Sequence, residues 1–100
     1  MDREIYRYIF DSSLNMTDIE SSLLLAIVAT ESLHGECQVR LDAAHNFNPA
    51  RRVCVIDAGT PVGRDLNRLF TGFVAREFGP NTFTVRRVRD CDHKPQEAAA

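Results

Sequence analysis

Any fold available to this chain must first find a place for Val53 to Phe78, a strand, a turn and an amphipathic helix written without a gap. Val53-Cys54-Val55-Ile56 is a continuous apolar run, the composition of a strand covered on both faces. Asp57-Ala58-Gly59 interrupts it. Thr60 then has the chemistry of a helix N-cap, followed by Pro61 at the first helical position, where a missing N–H costs nothing. Val62, Leu66, Leu69, Phe70, Phe73, Val74 and Phe78 recur at steps of three and four and make one side of the helix apolar. Arg64, Asp65, Asn67, Arg68, Thr71 and Arg76 occupy the other side, and Gly79-Pro80 ends the element.

The flanking sequence divides into similar units. Ile5 to Phe10 is rich in aromatic and β-branched residues and predicts a first strand, with Tyr6, Tyr8 and Phe10 on one face and Ile5, Arg7 and Ile9 on the other. Its alternation does not say which face is buried. Thr17-Asp18-Ile19-Glu20 has the spacing of a capping box. It opens a helix whose seam is Ile19, Leu23, Ala26, Ile27, Thr30 and Leu33, widened by Leu24 and Val28. That helix is apolar nearly all round, which predicts deep packing or contact with a partner. Cys37, Val39, Leu41 and Ala43 alternate with polar residues and predict a half-buried second strand. Asn46 to Ala50 reads as a loop, and Thr82 to Arg86 as a last strand. Residues 1–90 are expected to form a single domain, and 91–100 a frayed or disordered tail.

The order β-α-β-β-α-β predicts an α+β, ferredoxin-like sandwich. Its four-stranded antiparallel sheet would run in the order 4-1-3-2, with two helices on one face. Such a sheet leaves its other face open, and apolar side chains there would ask for a partner.

Composition narrows the function classes. The net charge is −2 with a pI near 5.9, so the basic excess of a nucleic-acid module is missing and the balance argues against nucleic acid as a partner. Three widely spaced cysteines, Cys37, Cys54 and Cys91, are no disulfide framework and suit a reducing compartment. Leu23 to Ala29 is the longest apolar stretch, well short of the ~20 residues that a membrane span needs. With a charged start at Met1-Asp2-Arg3-Glu4 in place of a signal peptide, a cytoplasmic protein without membrane association is expected.

Three readings of function follow. The first is a non-catalytic protein-interaction or assembly module, binding a protein partner or its own copy through the open sheet face, with Tyr6, Tyr8 and Phe10 as interface residues. The second is a small-molecule or anion binder, or an enzyme, built on the turn from Asp57 to Arg64. There Gly59 allows close approach, Thr60 offers a helix N-terminus and Arg64 a positive charge. Against it, Asp57 and Thr60 have ordinary duties as turn and helix caps. The third is RNA binding, with the first-strand aromatics Tyr6, Tyr8 and Phe10 stacking on bases. The Val53–Ile56 strand, however, supplies no matching aromatic. His34-x-x-Cys37 and Cys91-x-His93 supply metal-ligand types, but neither spacing is a strong signature, so no metal, cofactor or catalytic set is assigned.

Overall fold

The computed structural model describes residues 4–88. Its elements are β1 (Ile5–Phe10), α1 (Met16–His34), α2 (Glu36–Asp42), β2 (Ala44–Asn48), β3 (Val53–Asp57), α3 (Pro61–Phe78) and β4 (Phe83–Val88). The strands form one open sheet in the order β2-β3-β1-β4, every pairing antiparallel, so the class is α+β with three helices where two were expected. The tail expected at 91–100 lies outside the described residues.

β1 and β3 take the middle of the sheet. Tyr8 stands opposite Cys54 on one side and Val85 on the other, so these three share a face. That face carries the core: Tyr8, Phe10, Cys54 and Ile56 pack against Met16, Ile19, Leu23 and Ala26 of α1 and Leu66, Phe70 and Val74 of α3. Burying each of the larger side chains contributes about 1.5–3 kcal/mol.

α3 forms as its sequence requires. The Thr60 hydroxyl accepts the Gly63 N–H at 3.0 Å, Pro61 takes the first turn, and Gly79 ends the helix at φ 95°. Val62, Leu66, Phe70 and Val74, four residues apart, are all buried. α1 begins slightly earlier than the capping box implied. Asn15 is its N-cap, accepting the Thr17 N–H at 2.8 Å, and Thr17 lies inside the first turn. Asparagine caps at least as well as threonine, and here it comes first.

The second strand is where sequence and structure part. Cys37 to Ala43 is not a strand: Glu36–Asp42 is helical, and β2 begins at Ala44. Apolar pairs four residues apart, Cys37 with Leu41 and Val39 with Ala43, satisfy strand alternation and helix periodicity equally. Local chemistry decides for the helix. Gly35, at φ 89°, closes α1 through its N–H to the Glu31 carbonyl and opens α2 by accepting the Val39 N–H. Arg40 then reaches Glu36 at 3.4 Å, and Gln38 donates to Asp42 at 2.6 Å, both one turn apart. Only Val39 is buried, while Leu41 is 79% exposed. The stretch expected to be a loop supplies β2, whose Phe47 faces Cys54 and packs against the core.

One contact sets how close α3 lies to the sheet. A Cβ on Gly63 would stand 2.0 Å from the Asp57 carbonyl oxygen, so the helix backbone rests directly on the end of β3. Gly63→Ala must push the two apart, and we expect a loss of about 1–3 kcal/mol or more. Gly72, on the same helix, has nothing within 4 Å of its would-be Cβ. Gly72→Ala should therefore gain about 0.5–1 kcal/mol from helix propensity. Urea unfolding measures both, as opposite shifts of midpoint at constant slope.

Candidate functional site

The turn between β3 and α3 was the first place for chemistry. Its side chains are occupied within the fold. An Asp57 carboxylate oxygen accepts the Gly59 N–H at 2.9 Å, closing the turn. The Thr60 hydroxyl accepts from Gly63 and donates to the Asp42 carbonyl at 3.2 Å, tying α3 to the end of α2. Arg64 is exposed and reaches the Glu4 carboxylate at 3.8 Å. The Glu4 carbonyl accepts the Ala58 N–H at 2.6 Å. An anion approaching Gly59, Thr60 and Arg64 would thus meet two carboxylates, Asp57 and Glu4, and a hydroxyl already engaged on both sides.

The proposed interface on β1 needs a correction. Tyr8 is fully buried, Phe10 is 3% exposed, and Tyr6 is half-buried against the same core. These side chains turn towards the helices, so Tyr8 and Phe10 present no surface to a partner and Tyr6 only part of its own. The cause is the pocket offered to Tyr8. Its hydroxyl lies 2.6 Å from the Thr71 hydroxyl and also donates to the Asn67 backbone carbonyl (3.2 Å) and side-chain oxygen. Its ring meets Phe70 edge-on at 4.9 Å and stacks with Phe10 and Phe83 at 6.2 and 6.3 Å. An aromatic with a polar tip gains most where its ring is dry and its hydroxyl is met.

By alternation the helix-free face receives Ile5, Arg7 and Ile9 from β1, with Val53 and Val55 from β3 and Thr84, Arg86 and Val88 from β4. Ile5 and Val88 stand opposite each other and are buried, Ile9 is 42% exposed, and Arg7 faces Arg86. No described aromatic lies on this face, so its described residues offer bases no stacking platform.

The thiols and imidazoles are also placed. Cys54 is fully buried, and desolvation pushes its thiol up to about 12. Cys37 is exposed on α2. His34 pairs with Asp65 at 2.7 Å, joining the end of α1 to α3. Among the described residues no three His, Cys, Asp or Glu side chains gather as metal ligands, and Cys91 and His93 lie outside them. No helix among those residues is long and apolar enough to cross a membrane.

On α1 the structure leaves outside Leu24 and Val28, which the sequence reading added to the seam, together with Leu25, which it did not place. Leu24, Leu25 and Val28 are 56, 57 and 57% exposed. Of the seam below them, Ile19, Leu23, Ala26 and Thr30 are buried and Ile27 partly so, but Leu33 near the helix end is 66% exposed and does not belong to it. A helix lying on a sheet can turn only part of its circumference inward. From Ser21 to Thr30 α1 carries no charged residue, so its outward side is apolar by composition. That uncharged run is the signal that marks the surface. Compared with family models, curated proteins and solved structures, the chain matches none.

Two outcomes follow from the buried groups. Tyr8→Phe keeps the ring and removes the hydroxyl, leaving the Asn67 and Thr71 groups short of a partner, and should cost about 1–3 kcal/mol in urea unfolding. Cys54 yields a pH dependence. Its thiol ionises near 9.0 when ordinarily exposed and near 12 in the fold, so the unfolded chain loses the proton first. Stability is therefore intact below pH ~9 and declines as pH rises from there towards 12. Burial moves the Tyr8 phenol in the same direction and adds to the decline. Cys54→Ala should make unfolding midpoints less sensitive to pH across this range.

Proposed function

We propose that this chain is a non-catalytic protein-interaction or assembly module whose docking surface is the outer face of α1. The observation that carries this is the exposure of Leu24, Leu25 and Val28 as neighbours on a helix with no charge between Ser21 and Thr30. Isolated exposed leucines are common on soluble proteins, but adjacent branched side chains on an uncharged helix face are the composition of an interface centre. Ser21 and Ser32, both exposed, are small enough for a partner backbone to come close.

The architecture suits the role. We read it as a ferredoxin-like arrangement with one added helix, α2, supported by the order β2-β3-β1-β4, which counted from the β4 edge runs 4-1-3-2. This arrangement hosts many unrelated functions and favours none, so the reading stands on α1 alone. The helix-free sheet face, first considered for docking, is a weaker candidate. Its centre pairs Arg7 with Arg86, and Ile5 and Val88 beside them are already covered.

The test is crosslinking in the source cell with a photoreactive residue at position 25, using position 68 on the exposed side of α3 as control. The reading expects a discrete adduct at 25, none at 68, and loss of the adduct on Val28→Glu. Val28→Glu should also leave stability within about 0.5 kcal/mol, because the side chain is mostly in solvent. Equal adducts at both positions, or none at 25, would count against an interface there.

A further inference from the structure

Resting on that reading of α1, the charges around its outer face specify the partner. Between Met16 and His34 the ionisable side chains are Asp18, Glu20, Glu31 and His34, with no lysine or arginine. His34 is turned towards α3 and held by Asp65. Successive residues of a helix are rotated by about 100°. Taking Val28 as the middle of the outer face, Glu20 and Glu31 fall on the Leu24 side of it and Asp18 on the Leu25 side. Of α1's own side chains, carboxylates alone border the apolar strip on both sides, while the exposed arginines Arg64, Arg68 and Arg76 belong to the neighbouring α3.

We infer that the occupant is an amphipathic helix of another protein, with an apolar stripe flanked by lysine or arginine. Two other occupants fit less well. A second copy packed antiparallel, with its two-fold near Leu25 and Ala26, would set Glu20 of one chain beside Glu31 of the other. A parallel copy would set Glu20 of one chain across from Asp18 of the other, on its opposite flank. Like charges across a rim are unfavourable and suppress that pairing. An anionic lipid surface would be repelled by the same border. A basic-flanked helix answers each carboxylate. Glu20 and Glu31 are eleven residues apart, about three turns or ~16 Å, so two cations on one flank of the partner, three turns apart, would meet both. Rim charges of this kind choose the partner and speed its arrival, while burial of the apolar side chains supplies the attraction.

The probes are three synthetic amphipathic helices with the same leucine stripe, flanked by lysine, by glutamine or by glutamate. Each is titrated calorimetrically into the full-length chain at about 50 and about 300 mM salt. Light scattering of the chain alone reads self-association. The inference expects the lysine-flanked peptide to bind roughly tenfold more tightly than the glutamine-flanked one at low salt. That advantage should shrink at high salt and in a Glu20→Gln, Glu31→Gln variant, and Val28→Glu should abolish binding. Equal binding of the lysine and glutamine peptides would overturn the partner chemistry and leave α1 as a docking face. Binding of none of the three would overturn both. A dimer at neutral pH that dissociates on Val28→Glu would make the occupant a second copy and overturn the inference.

Discussion

The inward turn of Tyr8 settles the sidedness of the whole sheet. Strand side chains alternate, so once Tyr8 is drawn beneath α3, Tyr6 and Phe10 go with it and Arg7 and Ile9 must face away. β1 lies between β3 and β4, and each neighbour is bound to it in register, so the choice passes to Cys54 and Ile56 on one side and Phe83 on the other. What selects it is the joint satisfaction of a large ring and its hydroxyl. Phe70 takes the ring edge, and Asn67 and Thr71, one turn apart on α3, receive the hydroxyl. A reversed strand would bury Arg7 in the same place, at a far larger desolvation cost.

Around that centre, backbone contacts hold the ends. Gly63 lets α3 rest on the carbonyl of Asp57, and Glu4 holds the following turn through the Ala58 N–H. At the opposite end Arg52 adopts φ 60°, an uncommon conformation for a side chain with a Cβ. Its guanidinium donates to the Asp11 and Leu14 carbonyls, fastening the β2–β3 connection to the loop before α1. The sheet is thus tied at both ends by links that use main-chain acceptors.

The legible parts of the sequence were those with several agreeing signals. Val53 to Phe78 had apolar continuity, a cap, an N1 proline and a terminal glycine, and the structure reproduces each. Cys37 to Ala43 had only alternation, which a short helix produces as well, and no sequence rule weighs the Glu36–Arg40 and Gln38–Asp42 pairs against it in advance. β2, from Ala44 to Asn48, shows almost no strand composition, because an edge strand with an exposed polar side needs little beyond Phe47 to anchor it. On β1 both faces carry apolar residues, so the decision rested on Asn67 and Thr71, some sixty residues away. The outer surface of α1 was half visible. Its uniform apolarity was plain, but whether that meant burial or exposure depended on how much circumference the sheet and α3 would cover.

That exposed strip bears on how the chain would fare in unequal supply. Were α1 to dock a partner as proposed, an occupied chain would gain stability with the logarithm of that partner's free concentration, and heat resistance would track stoichiometry as well as sequence. Copies made in excess would keep Leu24, Leu25 and Val28 in water, the kind of surface that chaperones and proteases use to recognise unassembled subunits. One uncharged stretch of helix could then regulate abundance, removing whatever amount of this protein has no counterpart to hold.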